Sequence, residues 1–63
     1  MTVQIFLNAC NNVNLETRVI IEDRKSRIYV GSELNIPIHI LSMNVNSFYI
    51  DNISNQIIIL TYK

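Results

Sequence analysis

The run Val45-Asn46-Ser47-Phe48-Tyr49-Ile50-Asp51-Asn52-Ile53-Ser54-Asn55-Gln56-Ile57-Ile58-Ile59-Leu60-Thr61-Tyr62 decides the fold class. Val45 to Asp51 and Gln56 to Tyr62 are rich in β-branched and aromatic residues, types that fit a pleated, packed surface. Asn52-Ile53-Ser54-Asn55 between them is a break of hairpin length. The stretch reads as a β-hairpin.

Upstream stands Ile36-Pro37-Ile38-His39-Ile40-Leu41. Pro37 has no N–H to donate and opposes a central strand, but it suits the first turn of a helix. A short helical turn from Pro37 to Leu41 would set Ile36, Ile40 and Leu41 against the core; an edge strand is the alternative. Further back, Leu15 to Asp23 reads as a strand centred on Arg18-Val19-Ile20-Ile21-Glu22, and Arg27 to Val30 as its partner across Arg24-Lys25-Ser26. Gly31 ends that second strand by supplying a conformation other residues dislike.

The first segment fits two periods. Val3, Ile5 and Leu7 alternate as in a strand, while Val3, Phe6, Leu7 and Cys10 follow the i, i+3, i+4, i+7 spacing of a helix. Thr2 as N-cap and Asn11-Asn12 as terminator favour a helix over residues 3 to 11. The expected order is helix, two strands, a short helical turn, two strands. The simplest solution is one α+β domain over residues 1–63: an N-terminal helix packed on a four-stranded, mainly antiparallel sheet made of two hairpins.

Composition narrows the function classes. Sixty-three residues provide one core, and a chain of this size buries only about 60% of its extended surface. A deep catalytic cleft would cost core atoms it can hardly spare. Hydrophobic residues form 49% of the chain and charged residues 16%, which weighs against disorder. Five basic residues balance five acidic ones, and nucleic-acid binders usually carry a positive excess. The dense basic run, Arg24-Lys25-Ser26-Arg27, follows Glu22-Asp23 and reads as a solvated turn. The single cysteine suits a reducing cytosol. No secretory leader and no apolar run of membrane-spanning length is evident. The expected location is the cytoplasm.

Chemistry-bearing residues are sparse. His39 is the only imidazole; Ser42 lies three positions on and Asp51 or Glu33 could approach it in space, a trio that any chain of this length offers by chance. Cys10 and His39 fall short of the four ligands of structural zinc. No phosphate loop, calcium loop or paired carboxylates can be identified. The expectation is a protein that is not an enzyme and takes no cofactor, metal or small-molecule ligand.

Strand periodicity divides the side chains into two faces. Val19, Ile21, Ile28, Val30, Phe48, Ile50, Ile57 and Ile59 form the expected core face. Arg18, Ile20, Glu22, Arg27, Tyr29, Tyr49, Ile58, Leu60 and Tyr62 form the other. One short helix covers one face, so Ile20, Tyr29, Tyr49, Ile58, Leu60 and Tyr62 are the candidate interface for a protein partner or a homo-oligomer. Two alternatives stay open. The sheet could curl round its own core and leave no dedicated binding face, or Arg24, Lys25, Arg27 and Tyr29 could serve a small nucleic-acid-binding accessory protein.

The order of pieces resembles short uncharacterised proteins of phages and mobile elements of Gram-positive bacteria. The resemblance rests on a helix ending near Cys10, the strand Thr17-Arg18-Val19-Ile20-Ile21-Glu22-Asp23, a Gly, the Ile36-Pro37 turn and Ser47-Phe48-Tyr49-Ile50-Asp51. It runs from Thr2 to Leu60 and departs at Arg24-Lys25-Ser26, where a turn Gly would stand. It implies an accessory protein in a bacterial host cell, acting on a host or phage protein, and assigns no activity to any residue.

Overall fold

The computed structural model describes residues 1–62. Helix α1 spans Val3–Ala9. Strands β1 (Arg18–Glu22) and β2 (Arg27–Gly31) follow. A 3-10 turn at Glu33–Asn35 and helix α2 (Ile38–Leu41) then lead to β3 (Ser47–Asp51) and β4 (Gln56–Leu60). The expected α+β order holds, with α1 ending two residues early and a 3-10 turn that the sequence reading did not include.

Local chemistry accounts for the helices. The Thr2 hydroxyl accepts from the Ile5 N–H at 3.2 Å, which caps α1. Val3, Phe6 and Leu7 form its buried stripe. Pro37 sits at the N-cap of α2, where its missing N–H costs nothing, and Ile36 and Ile40 are buried on either side of it.

The strand order is β2-β1-β4-β3. Each hairpin pairs antiparallel, and the two hairpins join through parallel β1 and β4. Val19, Ile21, Ile57 and Ile59, in the two central strands, meet Val3, Phe6, Leu7, Ile36 and Ile40 in one core. Both helices therefore lie on the same side of the sheet.

Both hairpins close with the same device. Asp23 Oδ1 accepts from the N–H groups of Lys25 (2.8 Å) and Ser26 (2.9 Å). Asp51 Oδ1 accepts from those of Ile53 and Ser54, each at 3.1 Å. The repeated Asp-x-x-Ser is a turn signal: a short carboxylate caps two free backbone donors and tightens the reversal. It replaces the turn glycine that Arg24-Lys25-Ser26 lacks.

The register of β1 with β2 corrects part of the face assignment. Ile21 stands opposite Tyr29 and Ile20 opposite Val30, whereas Glu22 stands opposite Arg27. Ile28 is thus an extra residue, a bulge in β2. Side chains alternate with period two, so one inserted residue moves all that follow to the opposite face. Tyr29 lies on the helix-covered side and packs against the core, and Val30 takes its place on the open side. Gly31 serves this arrangement directly. Its φ of +154° suits glycine, and a Cβ there would meet the Tyr29 hydroxyl oxygen at 3.0 Å. That hydroxyl donates to the Ser32 carbonyl.

Candidate functional site

On the open face of the sheet, cross-strand pairing lines up Val30, Ile20, Ile58 and Tyr49 in one apolar row. The row Arg27-Glu22-Leu60-Ser47 flanks it on one side and Arg18-Gln56-Asp51 on the other. No helix packs on this face among the described residues. Ile20 is nevertheless only 2% exposed. It sits in the interior of the row, between Val30 and Ile58 on the adjacent strands.

Exposure rises towards the β3 edge. Tyr49 is 63% exposed, Phe48 53% and Ile50 39%, and Ile53 at the hairpin tip is 98% exposed. Phe48 and Ile50 point to the helix-covered side, as their pairing with Ile59 and Ile57 requires, but they lie at its rim, where they are covered only in part. Four of the ten exposed large apolar side chains thus fall within residues 48–53. The other six are spread over the N-terminus, α1, the loop at Leu15, β2, the 3-10 turn and α2.

The structure sorts the six candidate interface residues. Tyr49, Ile58 and Leu60 share the open face, with Ile58 and Leu60 half-buried. Ile20 belongs to the same row but offers almost no surface. Tyr62, half-buried, lies past the end of β4. Tyr29 leaves the set, because the bulge turns it to the core. Phe48, Ile50 and Ile53 are the apolar surface the sequence reading missed. Alternation places Phe48 and Ile50 on the core side, and periodicity says nothing about how far a helix reaches.

The two edges of the sheet are unlike. Edge strand β2 carries the bulge and follows Arg24 and Lys25. Arg27 adds its own charge there and pairs with Glu22 at 3.3 Å, and both Arg27 and the turn cations are exposed. These are devices that discourage further pairing. Edge strand β3, Ser47-Phe48-Tyr49-Ile50-Asp51, pairs regularly with β4 and has no Lys, Arg, Pro or bulge. The basic turn and the apolar edge stand on opposite sides of the sheet, so the cations do not frame an aromatic platform, and Tyr29 faces away from the open side.

The remaining chemistry is dispersed. His39 is exposed on α2, and the Ser42 hydroxyl donates to the Ile38 carbonyl at 3.0 Å. Among the described residues no three His, Cys, Asp or Glu side chains gather to hold a metal ion. A cavity of about 80 Å³ lies between the end of α1 and the β3–β4 turn, lined by Cys10, Thr17, Asp51 and Asn55 among others. Small-molecule sites usually start at about 300 Å³, above this cavity and above the more open cleft of about 250 Å³ beside Leu7, Glu33 and Leu41. Burial pushes the Cys10 thiol above its ordinary value, which disfavours the nucleophilic thiolate.

The wall of that cavity is a structural clamp. The Thr17 hydroxyl is buried, accepts from the Asn14 N–H at 3.1 Å and lies 3.2 Å from Asn55 Oδ1, to which it donates. Asn55 Nδ2 donates to the Glu16 carbonyl at 3.4 Å, and the Arg18 N–H donates to the Asn55 carbonyl at 3.0 Å. Asn55 holds φ at +52°, a value asparagine tolerates better than most residues. The turn of the second hairpin is thereby tied to the start of β1. No protein-family model, curated protein or solved structure matches this chain.

Proposed function

We propose that this chain is a non-enzymatic accessory protein that works by protein contact through the exposed surface of the β3–β4 hairpin. The supporting observation is the concentration of Phe48, Tyr49, Ile50 and Ile53 at one edge of the sheet. Apolar exposure clustered at one edge, on a domain with little core to spare, marks an interaction site more often than scattered exposure does. Tyr49 combines a large apolar body with a polar tip, a combination frequent at the centre of interfaces. The proposed setting is the cytoplasm of a bacterial host, with a phage or mobile-element origin resting on the order of sequence elements. Among the described residues no helix is long and apolar enough to cross a membrane.

The test compares the wild type with Tyr49→Lys, after circular dichroism confirms that both are folded. Self-association is followed by sedimentation, and partner capture by affinity isolation from host lysate. The wild type is expected to associate with itself, or to retain a protein that the variant releases. Identical behaviour of the two in both assays refutes the reading.

A further inference from the structure

We infer that the outer edge of β3 is completed by β3 of a second copy of this chain, paired antiparallel about Tyr49. The inference rests on the reading of the hairpin as a protein-contact surface and names its occupant.

The geometry selects the register. A two-fold axis that pairs identical strands antiparallel must stand perpendicular to the sheet, so each residue faces one from the same side of its copy. Centring the axis on Tyr49 uses all five strand residues. Tyr49 meets the second copy's Tyr49 on the open face. Phe48 meets the second copy's Ile50 on the helix-covered face, twice by symmetry. Ser47 stands opposite Asp51, a hydroxyl donor against a carboxylate acceptor, and no like charges oppose each other anywhere along the strand. Across the axis, apolar residues thus face apolar ones and polar residues face polar ones.

Edge chemistry agrees, and the area fits a weak, reversible dimer. Taking about 200 Å² for a large side chain, Phe48, Tyr49 and Ile50 offer on the order of 300 Å² per copy, roughly 600 Å² for two copies before the edge backbone is included. The pairing satisfies N–H and C=O groups that β3 otherwise leaves to water. It also closes: the outer strand of the resulting eight-stranded sheet is the bulged and cationic β2 at both ends, so growth stops at two copies.

Sedimentation equilibrium of the wild type between micromolar and millimolar concentration should show a reversible monomer–dimer equilibrium. Tyr49→Lys, which sets like charges directly across the axis, should weaken it roughly tenfold or more. In a Cys10→Ser background, Tyr49→Cys should give a covalent dimer under mild oxidation. Directly opposed antiparallel residues have Cα atoms about 4.5–5.5 Å apart, within disulfide reach. Val30→Cys, equally surface-facing but on the guarded edge, should not. A wild type that remains monomeric at millimolar concentration overturns the inference, as does equal cross-linking at positions 30 and 49. A monomer that still captures another protein in a Tyr49-dependent way sinks the homodimer alone. A monomer whose capture ignores Tyr49→Lys sinks the contact surface as well.

Discussion

The ring of Phe48, on β3, lies 4.7 Å from the ring of Phe6, on α1, at an interplanar angle of 48°. Phe6 is buried and Phe48 is half in water, so the pair marks where the core stops and the exposed edge begins. The contact holds Phe48 in place as part of a preformed surface, which lowers the ordering cost of any association there.

That asymmetry predicts unequal consequences of truncation. Phe6→Ala should cost about 3–5 kcal/mol, the range for a core aromatic, and so approach the whole stability of a domain this small, on the order of 5 kcal/mol. Phe48→Ala loses the ring pair and part of its area, about 1–2 kcal/mol. Urea unfolding followed by circular dichroism separates the two. Equal losses would show that Phe48 is a core residue and not an edge residue.

Gly31→Ala is expected to destabilise the fold by about 1–3 kcal/mol, because φ at +154° strains any side chain and the new Cβ meets the Tyr29 hydroxyl. Removing that oxygen with Tyr29→Phe should recover part of the loss. The double variant is therefore expected to be more stable than the sum of the two single effects. Strict additivity in urea titrations would refute the steric coupling.

Thr17→Val tests the clamp between the hairpins. The substitution keeps the shape and deletes the hydroxyl that serves Asn14 and Asn55. A loss of about 1–2 kcal/mol is expected. Faster amide hydrogen exchange should appear at Asn14, whose N–H loses its acceptor, and at Arg18, whose acceptor is the Asn55 carbonyl. Unchanged exchange at both sites would remove the clamp from the account.

The β1–β2 turn should weaken in acid. Hydrogen bonds from the backbone of Ser26 and then Lys25 hold the Asp23 carboxyl below its ordinary value of 3.8. The folded state thus binds its proton less readily than the unfolded chain does. The resulting stabilisation is complete above the unfolded value and fades as pH falls through the lower folded one. NMR titration should place the Asp23 midpoint below 3.8, and Asp23→Ala should flatten that part of the acid limb of stability. A midpoint at or above 3.8 would contradict the role of those two hydrogen bonds.

Cys10 runs the other way with pH. Its thiol sits above the ordinary value of 9.0 through burial, so the folded state favours the protonated form. That preference is fully present below the unfolded value and is lost as pH rises through the folded one. Alkylation near pH 8 should be slower in the native protein than in urea. A native rate equal to the unfolded one would mean that the thiol is open to solvent.

Local sequence determined the pieces of this protein. The helical spacing of Val3, Phe6, Leu7 and Cys10, the cap at Thr2, the arrest at Pro37 and the β-rich runs around residues 20, 48 and 58 act over one or two turns of chain. Each element can be recognised from its own residues. Central strand β4 was legible to the face, since Ile57 and Ile59 alternate with Ile58 and Leu60 without interruption. Tertiary structure alone decided three things. It joined the hairpins through parallel β1 and β4, a pairing between segments about forty residues apart that no local signal encodes. It inserted the bulge at Ile28, which exchanged Tyr29 and Val30 between faces because strand side chains repeat every two residues. It also set how far α1 and α2 extend over the sheet, leaving Phe48 and Ile50 on the core side yet partly in water. Periodicity names the direction of a side chain, whereas burial depends on what packs above it.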